Sequence, residues 1–230
     1  MRIEPEISGA SVVLLGSFEP RIFTPYWFAY NNILTAAEAD AAEVEVIHST
    51  ITVFRMKWLS LRVEEERLIA ETTEAPFIRL SDLVVRTFRE FLNQTPIGRM
   101  GINRTVHFNV GDEATRNQIG RKLAPLEPWG EWGKVLEEGD ALQRGGMINL
   151  TMQKRVTDDR DSGHIHVSVQ PSVKIRENAG IFVGVNDHYE VKDFSKVIGC
   201  DKIIAILSDQ FQKSILKSEW IVDQIMALKK

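Results

Sequence analysis

The sequence contains one cysteine and no long hydrophobic run. Cys200 cannot form an internal disulfide, which fits the reducing conditions of a cytoplasm. No apolar stretch approaches the length of a membrane span, and the first ten residues lack the basic and then apolar order of a signal peptide. We therefore predict a cytoplasmic protein with neither a transmembrane helix nor a signal peptide, in which Cys200 is an inert thiol.

The usual motifs of nucleotide, zinc and nucleophile sites are also missing. The chain has no GxxxxGK[ST] loop, no GxGxxG after a strand, and no HExxH, CxxC or GxSxG motif. A net charge of −4 provides no excess of basic residues for binding to phosphate backbones. These absences favour a protein that is not an enzyme, and we expect it to have no cofactor and no catalytic residues.

What is present indicates a folded α+β protein. The 230 residues are 43% hydrophobic and 26% charged, which is ordinary for a globular chain with a sizeable core. Strand and helix patterns occur in the order β-α-β-β-β-α and then in the same order again. Runs of strands between isolated helices predict a curved, mainly antiparallel sheet with helices packed on one face. We place the two duplicated halves at residues 1–98 and 99–230, within one continuous domain.

Four segments have helical periodicity. The segments 24–42 and 111–126 each predict a helix, and Asp112 is the expected N-cap of the second one. In the segment 75–96, apolar residues recur at helical spacing and Pro96 ends the pattern. They are Leu80, Leu83, Val84, Phe88 and Phe91. The segment 200–230 predicts a long final helix with one apolar stripe.

This order of elements resembles, by topology only, the pseudo-symmetric saddle of the TATA-box-binding protein. The amphipathic helix, the stretch "GINRTVHF" directly after it and the helical C-terminus also resemble a family of sporadically distributed bacterial proteins of similar length. That family contributes no known catalytic residue. The resemblance therefore informs mainly the fold, and the sporadic distribution of the family favours a subunit of a bacterial multi-component system, such as a defence or toxin–antitoxin module.

Strand alternation predicts a polar sheet face in the second half. Alternate residues of a strand lie on opposite faces, so the apolar Ile165, Val167 and Val169 direct the residues between them away from the core. Short neutral side chains lose little entropy when ordered and form hydrogen bonds readily. We predict a binding face formed by Asn103, Thr105, His107, Asn149, Thr151, Gln153, Arg155, His164, His166, Ser168 and Gln170. A solvated strand face without a partner is the alternative.

Aromatic residues form two further features. Trp129 and Trp132 lie between glycines and Pro128 in a loop-like segment. We favour packing of both tryptophans against the sheet edge or the final helix, and the alternative is that they anchor a partner. In the first half, Phe54, Met56 and Trp58 have the same parity, which predicts a core stripe, and the alternative is an exposed strip that forms an interface.

Three functions remain open at this stage. The first is a non-enzymatic protein that binds another protein, or a second copy of itself, through the polar face. The second is a nucleic-acid or nucleotide binder that uses the same face together with nearby arginines. These are Arg55, Arg99, Arg104 and Arg155.

The third function is a histidine-dependent or metal-dependent hydrolase. His164 and His166 are the metal ligands to expect if a metal is bound at all, with His107 or the aspartates Asp158, Asp159 and Asp161 completing the site. Two-histidine phosphoesterases have a His-x-(Ser/Thr) strand in each half. The stretches "HSTI" at His48 and "HVSV" at His166 resemble that pattern, but they lie on strands that do not correspond between the halves.

Overall fold

A computed structural model describes residues 3–139, 145–156, 162–193 and 196–229. It shows an α+β fold, as predicted, with one open, curved sheet of nine antiparallel strands. The strands are β1 (Ile7–Gly16), β2 (Glu43–Ile47), β3 (Ile51–Met56), β4 (Leu59–Glu64), β5 (Arg67–Thr72), β6 (Ile97–Asn109), β7 (Leu150–Arg155), β8 (Ser162–Pro171) and β9 (Gly180–Glu190). The helices are α1 (Pro25–Tyr30), α2 (Ala36–Asp40), α3 (Ile78–Arg86), α4 (Glu113–Leu123), α5 (Gly130–Val135) and α6 (Asp201–Met226).

The strand order across the sheet is β2-β3-β4-β5-β1-β6-β9-β8-β7. The long strands β1 and β6 pair at the centre, where Ser11 is opposite Asn103. Strands β5, β4 and β3 follow on the β1 side, and β9, β8 and β7 follow on the β6 side. Strand β2 is an additional edge strand. The predicted boundary between residues 98 and 99 lies inside β6, and the sheet is continuous across it.

The core lies between the sheet and the helices. Cross-strand partners Phe54, Leu61, Ala70, Val12 and Ile102 form one buried row on the helix side. Around this row, β1, β3, β4, β5 and β6 contribute to a hydrophobic cluster with α1, α3 and the first part of α6. A second cluster joins the far ends of β6, β8 and β9 to α4 and the last turns of α6.

The prediction of one helix over residues 24–42 was wrong. The segment forms α1 and α2, separated by a turn in which Asn32 has a φ of 54°. Each short helix has its own N-cap: Thr24 accepts a hydrogen bond from the Trp27 N–H, and Thr35 forms a capping box with Glu38. Because each N-cap favours the start of a new helix, the two caps override the continuous apolar pattern that predicted a single helix.

Helices α3, α4 and α6 were predicted correctly, with small differences, whereas α5 lies in a segment that was predicted to be a loop. Asp112 caps α4 by accepting a hydrogen bond from the Thr115 N–H at 2.7 Å. Helix α3 continues as a π-helical turn over Thr87–Phe91, which buries Phe88 but leaves Phe91 38% exposed. Helix α6 buries most of its predicted apolar stripe.

The β-prone region between residues 43 and 72 forms four strands. The tight turn at Lys57 and Trp58 separates β3 from β4. Phe54 and Trp58 are 0% and 8% exposed, so the predicted core stripe is confirmed at both positions, and the Trp58 indole N–H donates to Glu38. The predicted turn over residues 157–161 lies outside the described residues. Within the described ranges, no helix is both long and apolar enough to cross a membrane.

Candidate binding face

The open face is the side of the sheet opposite the helices. One row of cross-strand partners on this face, here called the central polar row, includes a polar side chain from every strand. In sheet order the row is Glu43, Arg55, Ser60, Glu71, Ser11, Asn103, Asn186, His166 and Gln153. The row results directly from strand parity, because its residues alternate with the buried apolar side chains on the same strands.

The middle of the open face is concave. A cavity of about 670 Å³ lies over β5, β1, β6, β9 and β8. Four of the predicted residues, Asn103, Thr105, His166 and Ser168, line it. A smaller cavity of about 230 Å³ adjoins it towards the β3–β4 turn, and Ser11 and Thr105 contribute to both. The two cavities form a groove that is large enough for a segment of a partner molecule.

Within the groove, the polar side chains bond to one another and remain half-exposed. The Asn103 amide donates to the Ser11 hydroxyl at 3.1 Å. At the rim of the groove, the Ser168 hydroxyl of β8 lies 3.0 Å from the hydroxyl of the exposed Thr151 on β7. These short contacts hold the side chains in place while part of each one stays accessible, as pre-organised binding requires.

His107 has the predicted parity but is not accessible. It is 7% exposed, because the segment after β8 covers it. Its Nδ1 lies 2.7 Å from the Ser172 hydroxyl, and its ring packs on Phe182 with centroids 4.9 Å apart. Burial lowers the pKa of His107, and the charge of Lys174 lowers it further. His107 therefore belongs to the floor of the smaller cavity and exposes little of its own surface to a partner.

Three histidines form a stack across β8 and β9. The ring centroids of His164 and His166 are 4.1 Å apart, and those of His164 and His188 are 4.5 Å apart with planes only 18° from parallel. Burial lowers the pKa of His188 and the neighbouring His164 lowers it further, while Glu190 opposes both effects. Among the described residues, no group of three or more His, Cys, Asp or Glu side chains is arranged to hold a metal ion.

The remaining predicted residues lie towards the edge of the sheet. Thr151, Gln153 and Arg155 are exposed on the edge strand β7, and the exposed Asn149 directly precedes this strand. Gln170 is half-buried near the end of β8, opposite Phe182. These residues extend the open face beyond the concave part.

The favoured prediction for the two tryptophans was wrong. Trp129 and Trp132 are 58% and 55% exposed, and they contact each other edge to face with centroids 5.3 Å apart. Trp129 ends a short 3₁₀ turn and Trp132 lies in α5, and Val135 in the same helix is 54% exposed. They form an apolar patch on the surface instead of packing against the sheet or α6.

Several residues of the open face were missed by the sequence analysis. Phe182, Gly184, Asn186 and His188 of β9 line the large cavity, as does Ser11 of β1. The signal was present in β9, because its buried residues Ile181, Val183 and Val185 alternate with the others. Only the strand order places β9 and β1 on either side of β6, next to the predicted residues.

Three of the four arginines proposed for nucleic-acid binding are paired with a glutamate or buried on the other face, and the fourth, Arg155, is exposed on the edge strand β7. On the open face, Arg55 pairs with Glu45 at 3.0 Å and Arg99 pairs with Glu190 at 2.6 Å. Arg104 lies on the opposite, helix-covered face and is only 5% exposed. There its guanidinium donates a hydrogen bond to the Gly9 carbonyl. The prediction that Arg104 assists binding at the open face was therefore wrong, because its position alternates with the outward Asn103 and Thr105.

The structure does not bring the proposed phosphoesterase histidines together. His48 precedes β3 near one edge of the sheet, and His166 lies on β8, six strands away from β3. Six strand spacings correspond to roughly 25–30 Å. Cys200 is buried beside the Asn93 carbonyl, and burial raises its pKa to about 11, as expected of an unreactive thiol.

Comparisons with known proteins identify no relative. No protein-family model matches the chain, and no curated protein matches it. The functional interpretation therefore depends on the geometry and charge of the open face.

Proposed function

We propose that this chain is a non-enzymatic interaction protein whose open sheet face binds a segment of a protein partner. The observation that carries the proposal is the central polar row, which crosses all nine strands on a face that no described helix covers. A sheet of this size with one solvated face needs no such continuous set of hydrogen-bonding groups for folding. Five consecutive members of the row are uncharged hydrogen-bonding residues, although lysine and glutamate would make that part of the face soluble as well. They are Ser11, Asn103, Asn186, His166 and Gln153.

The chemistry of the groove supports a polypeptide ligand. Its central side chains are amides, hydroxyls and imidazoles, which both donate and accept hydrogen bonds, as peptide groups do. Val13, Ile69 and Phe182 contribute apolar surface between them. This mixture of apolar area and neutral polar groups is typical of the core of protein–protein interfaces.

The charge distribution argues against phosphate as the main ligand. Three arginines of the open face, Arg55, Arg62 and Arg99, each pair with a neighbouring glutamate. Paired arginines release fewer counterions from a nucleic acid, so they contribute less to its binding. One observation favours the nucleic-acid alternative: Arg55, Lys57 and Lys174 all line the smaller cavity.

The internal duplication of the chain and its role in the cell are part of the same proposal. The correspondence between β1-β5-β4-β3 and β6-β9-β8-β7 supports an internal duplication, arranged like the saddle of the TATA-box-binding protein. We further propose that the protein acts in the cytoplasm as a subunit of a bacterial multi-component system. A subunit of that kind requires a binding face and no catalytic centre.

Native mass spectrometry of protein purified gently from its own host tests the proposal. We expect a bound protein that survives nuclease treatment and about 0.5 M salt, because a complex of this kind depends little on counterion release. The variant with Asn103→Ala, Asn186→Ala and His166→Ala should lose that protein while remaining folded. Its control is Ser208→Ala, Gln212→Ala and Gln224→Ala, on the exposed surface of α6.

The outcomes separate the candidate functions. A complex that salt dissociates and that contains nucleic acid would replace the proposal with the second candidate. Equal retention of the partner by the open-face variant and by the α6 variant would show that the partner binds elsewhere. A hydrolase would require activity in the wild type that is lost when His164 and His166 are both replaced by alanine.

A further inference from the structure

The two edges of the sheet differ in charge. In the described part of the chain, β2 and β7 are the strands with one neighbour. Strand β2 has the exposed glutamates Glu43 and Glu45 among its five residues. Such charges on an edge strand prevent pairing with another chain. Strand β7 begins with four uncharged residues, Leu150, Thr151, Met152 and Gln153, and has its two cations at its C-terminal end.

The β7 edge is also apolar on its helix side. Met152 is 66% exposed, and Ile148, just before the strand, is 82% exposed. An accessible strand edge flanked by exposed apolar side chains is unusual in a monomer, because it promotes pairing with other chains. Strand β2 also exposes Val44 and Ile47, at 46% and 48%, but its two glutamates oppose pairing, so we expect a partner at β7 and not at β2.

We propose that two copies of this chain pair their β7 strands antiparallel about a two-fold axis that passes beside Met152. This register sets Met152 opposite Met152 of the second copy and Ile148 opposite Val156 of the second copy, all on the helix side. On the open side, Thr151 faces Gln153 and Asn149 faces Arg155. The remaining pair on the helix side sets Leu150 opposite Lys154, whose aliphatic stem covers the leucine while its ammonium group stays in solvent. The apolar pairs at Met152 and Ile148 and the polar pairs on the open side are the ones that stabilise the proposed register.

Electrostatics favours β7 over β2 for this pairing. In the proposed register, the two Lys154 side chains are four residues apart along the strand direction, which is about 14 Å. That separation exceeds the Debye length of about 8 Å at physiological salt. For two β2 strands, an axis at Val44 or Glu45 would instead set glutamates directly opposite one another, which is destabilising.

One six-residue strand is too small for a stable interface, which usually buries at least about 1,000 Å² in total. The proposed interface also includes the aromatic patch, which precedes β7 in the chain, as a source of additional area. The Gly145 N–H donates to the Leu136 carbonyl, so the segment that leads into β7 starts at the end of α5, where Trp132 and Val135 are exposed. Tryptophan is among the residues most enriched in interface hot spots.

The proposed dimer does not depend on binding by the open face, but it has a consequence for such binding. A two-fold axis that relates antiparallel edge strands runs perpendicular to the sheet. Both copies therefore contribute to one sheet of eighteen strands, twice the nine strands of one copy, with their open faces on the same side. A partner with two binding segments would then engage both grooves with increased avidity.

Sedimentation equilibrium on the full chain tests the dimer. At about 100 µM, well above a micromolar dissociation constant, we expect a mass of twice 26.1 kDa for the wild type. Met152→Lys should raise the dimer dissociation constant about tenfold or more, because it places two charges opposite each other in the interface. The matched control Val44→Lys on the other edge should leave the wild-type value unchanged. Circular dichroism checks that both variants remain folded.

Disulfide cross-linking tests the register. Met152→Cys should give an intermolecular disulfide on mild oxidation, because residues that face each other directly across an antiparallel pair are close enough to be joined. Lys154→Cys, on the same side of the strand, should not cross-link. The native Cys200 is 1% exposed and does not compete. A monomeric wild type, a dimer that survives Met152→Lys or is equally weakened by Val44→Lys, or no cross-link through Met152→Cys would overturn the proposal.

Discussion

The helix-covered face and the open face belong to the same nine strands, yet their residues have different roles. On the helix side, Phe54, Leu61, Ala70, Val12 and Ile102 form a dry row. One position along each of the same strands, the open side has Arg55, Ser60, Glu71, Ser11 and Asn103. The comparison shows that stability comes mainly from one face, so the residues of the other face are free to serve binding.

Matched phenylalanine substitutions should give the largest difference between the faces. Phe88 is 0% exposed and packs on Phe18 and Phe23 with ring centroids about 6 Å away, so Phe88→Ala should lower the free energy of unfolding by about 3–5 kcal/mol. Phe182 is half-buried on the open face, and Phe182→Ala should lower it by less than half as much. Urea unfolding measures both. Equal losses would mean that the open face contributes to stability as much as the core does.

Matched arginine substitutions should give the next largest difference in stability between the two faces. Arg104 is buried on the helix side and donates to the Gly9 carbonyl and the Ser8 hydroxyl, so Arg104→Ala should cost roughly 2–3 kcal/mol of stability. Arg62 on the open face pairs with Glu64 in solvent, and Arg62→Ala should cost less than about 1 kcal/mol. Thermal unfolding of the two variants is the measurement. A larger effect at Arg62 would reverse the assigned roles of the two faces.

Acidification should lower the free energy of unfolding through two histidines on the open side of the sheet. Burial lowers the pKa of both His107 and His188 below the ordinary value near 6.5, so the unfolded chain binds more protons in the window just below that value. The contribution of these two histidines to the free energy of unfolding is therefore fully present above pH 6.5. It is lost as the pH falls through their lowered pKa values. Urea titrations from pH 7.5 down to pH 5.5 should show this loss, and His188→Gln should reduce it. An unchanged slope in that variant would contradict the assignment.

The smallest effect on stability is expected at the centre of the open face. Ser11→Val should change the free energy of unfolding by no more than about 0.5 kcal/mol, because the site is half-exposed and valine suits a strand. It should nevertheless weaken partner binding, since it removes the acceptor for the Asn103 amide in the groove. A titration with the identified partner, alongside chemical unfolding, measures both effects. Loss of stability without loss of binding would place Ser11 among the structural residues.

Much of the fold was predictable because periodicity is a local property. The alternation in β6 and β8 and the helical spacing in α3 and α6 identified these elements and their inward faces. The predictions failed where local signals competed, as at Asn32, which separates α1 from α2. They also failed where exposure depends on distant segments. His107 is covered by Ser172, and the two tryptophans are left uncovered, and neither fact is visible in the residues themselves.

The sequence by itself therefore determined the fold class, the periodicity of each strand and helix, and the polar character of one sheet face. These depend on interactions between residues close in the chain. Only the tertiary structure decided which strands are neighbours. Strand order brings Ser11, Asn103, Asn186 and His166 from four separate parts of the chain into one row, and leaves β7, which begins with four uncharged residues, at one edge. Strand pairing joins residues that are far apart in the chain, so no local pattern specifies it.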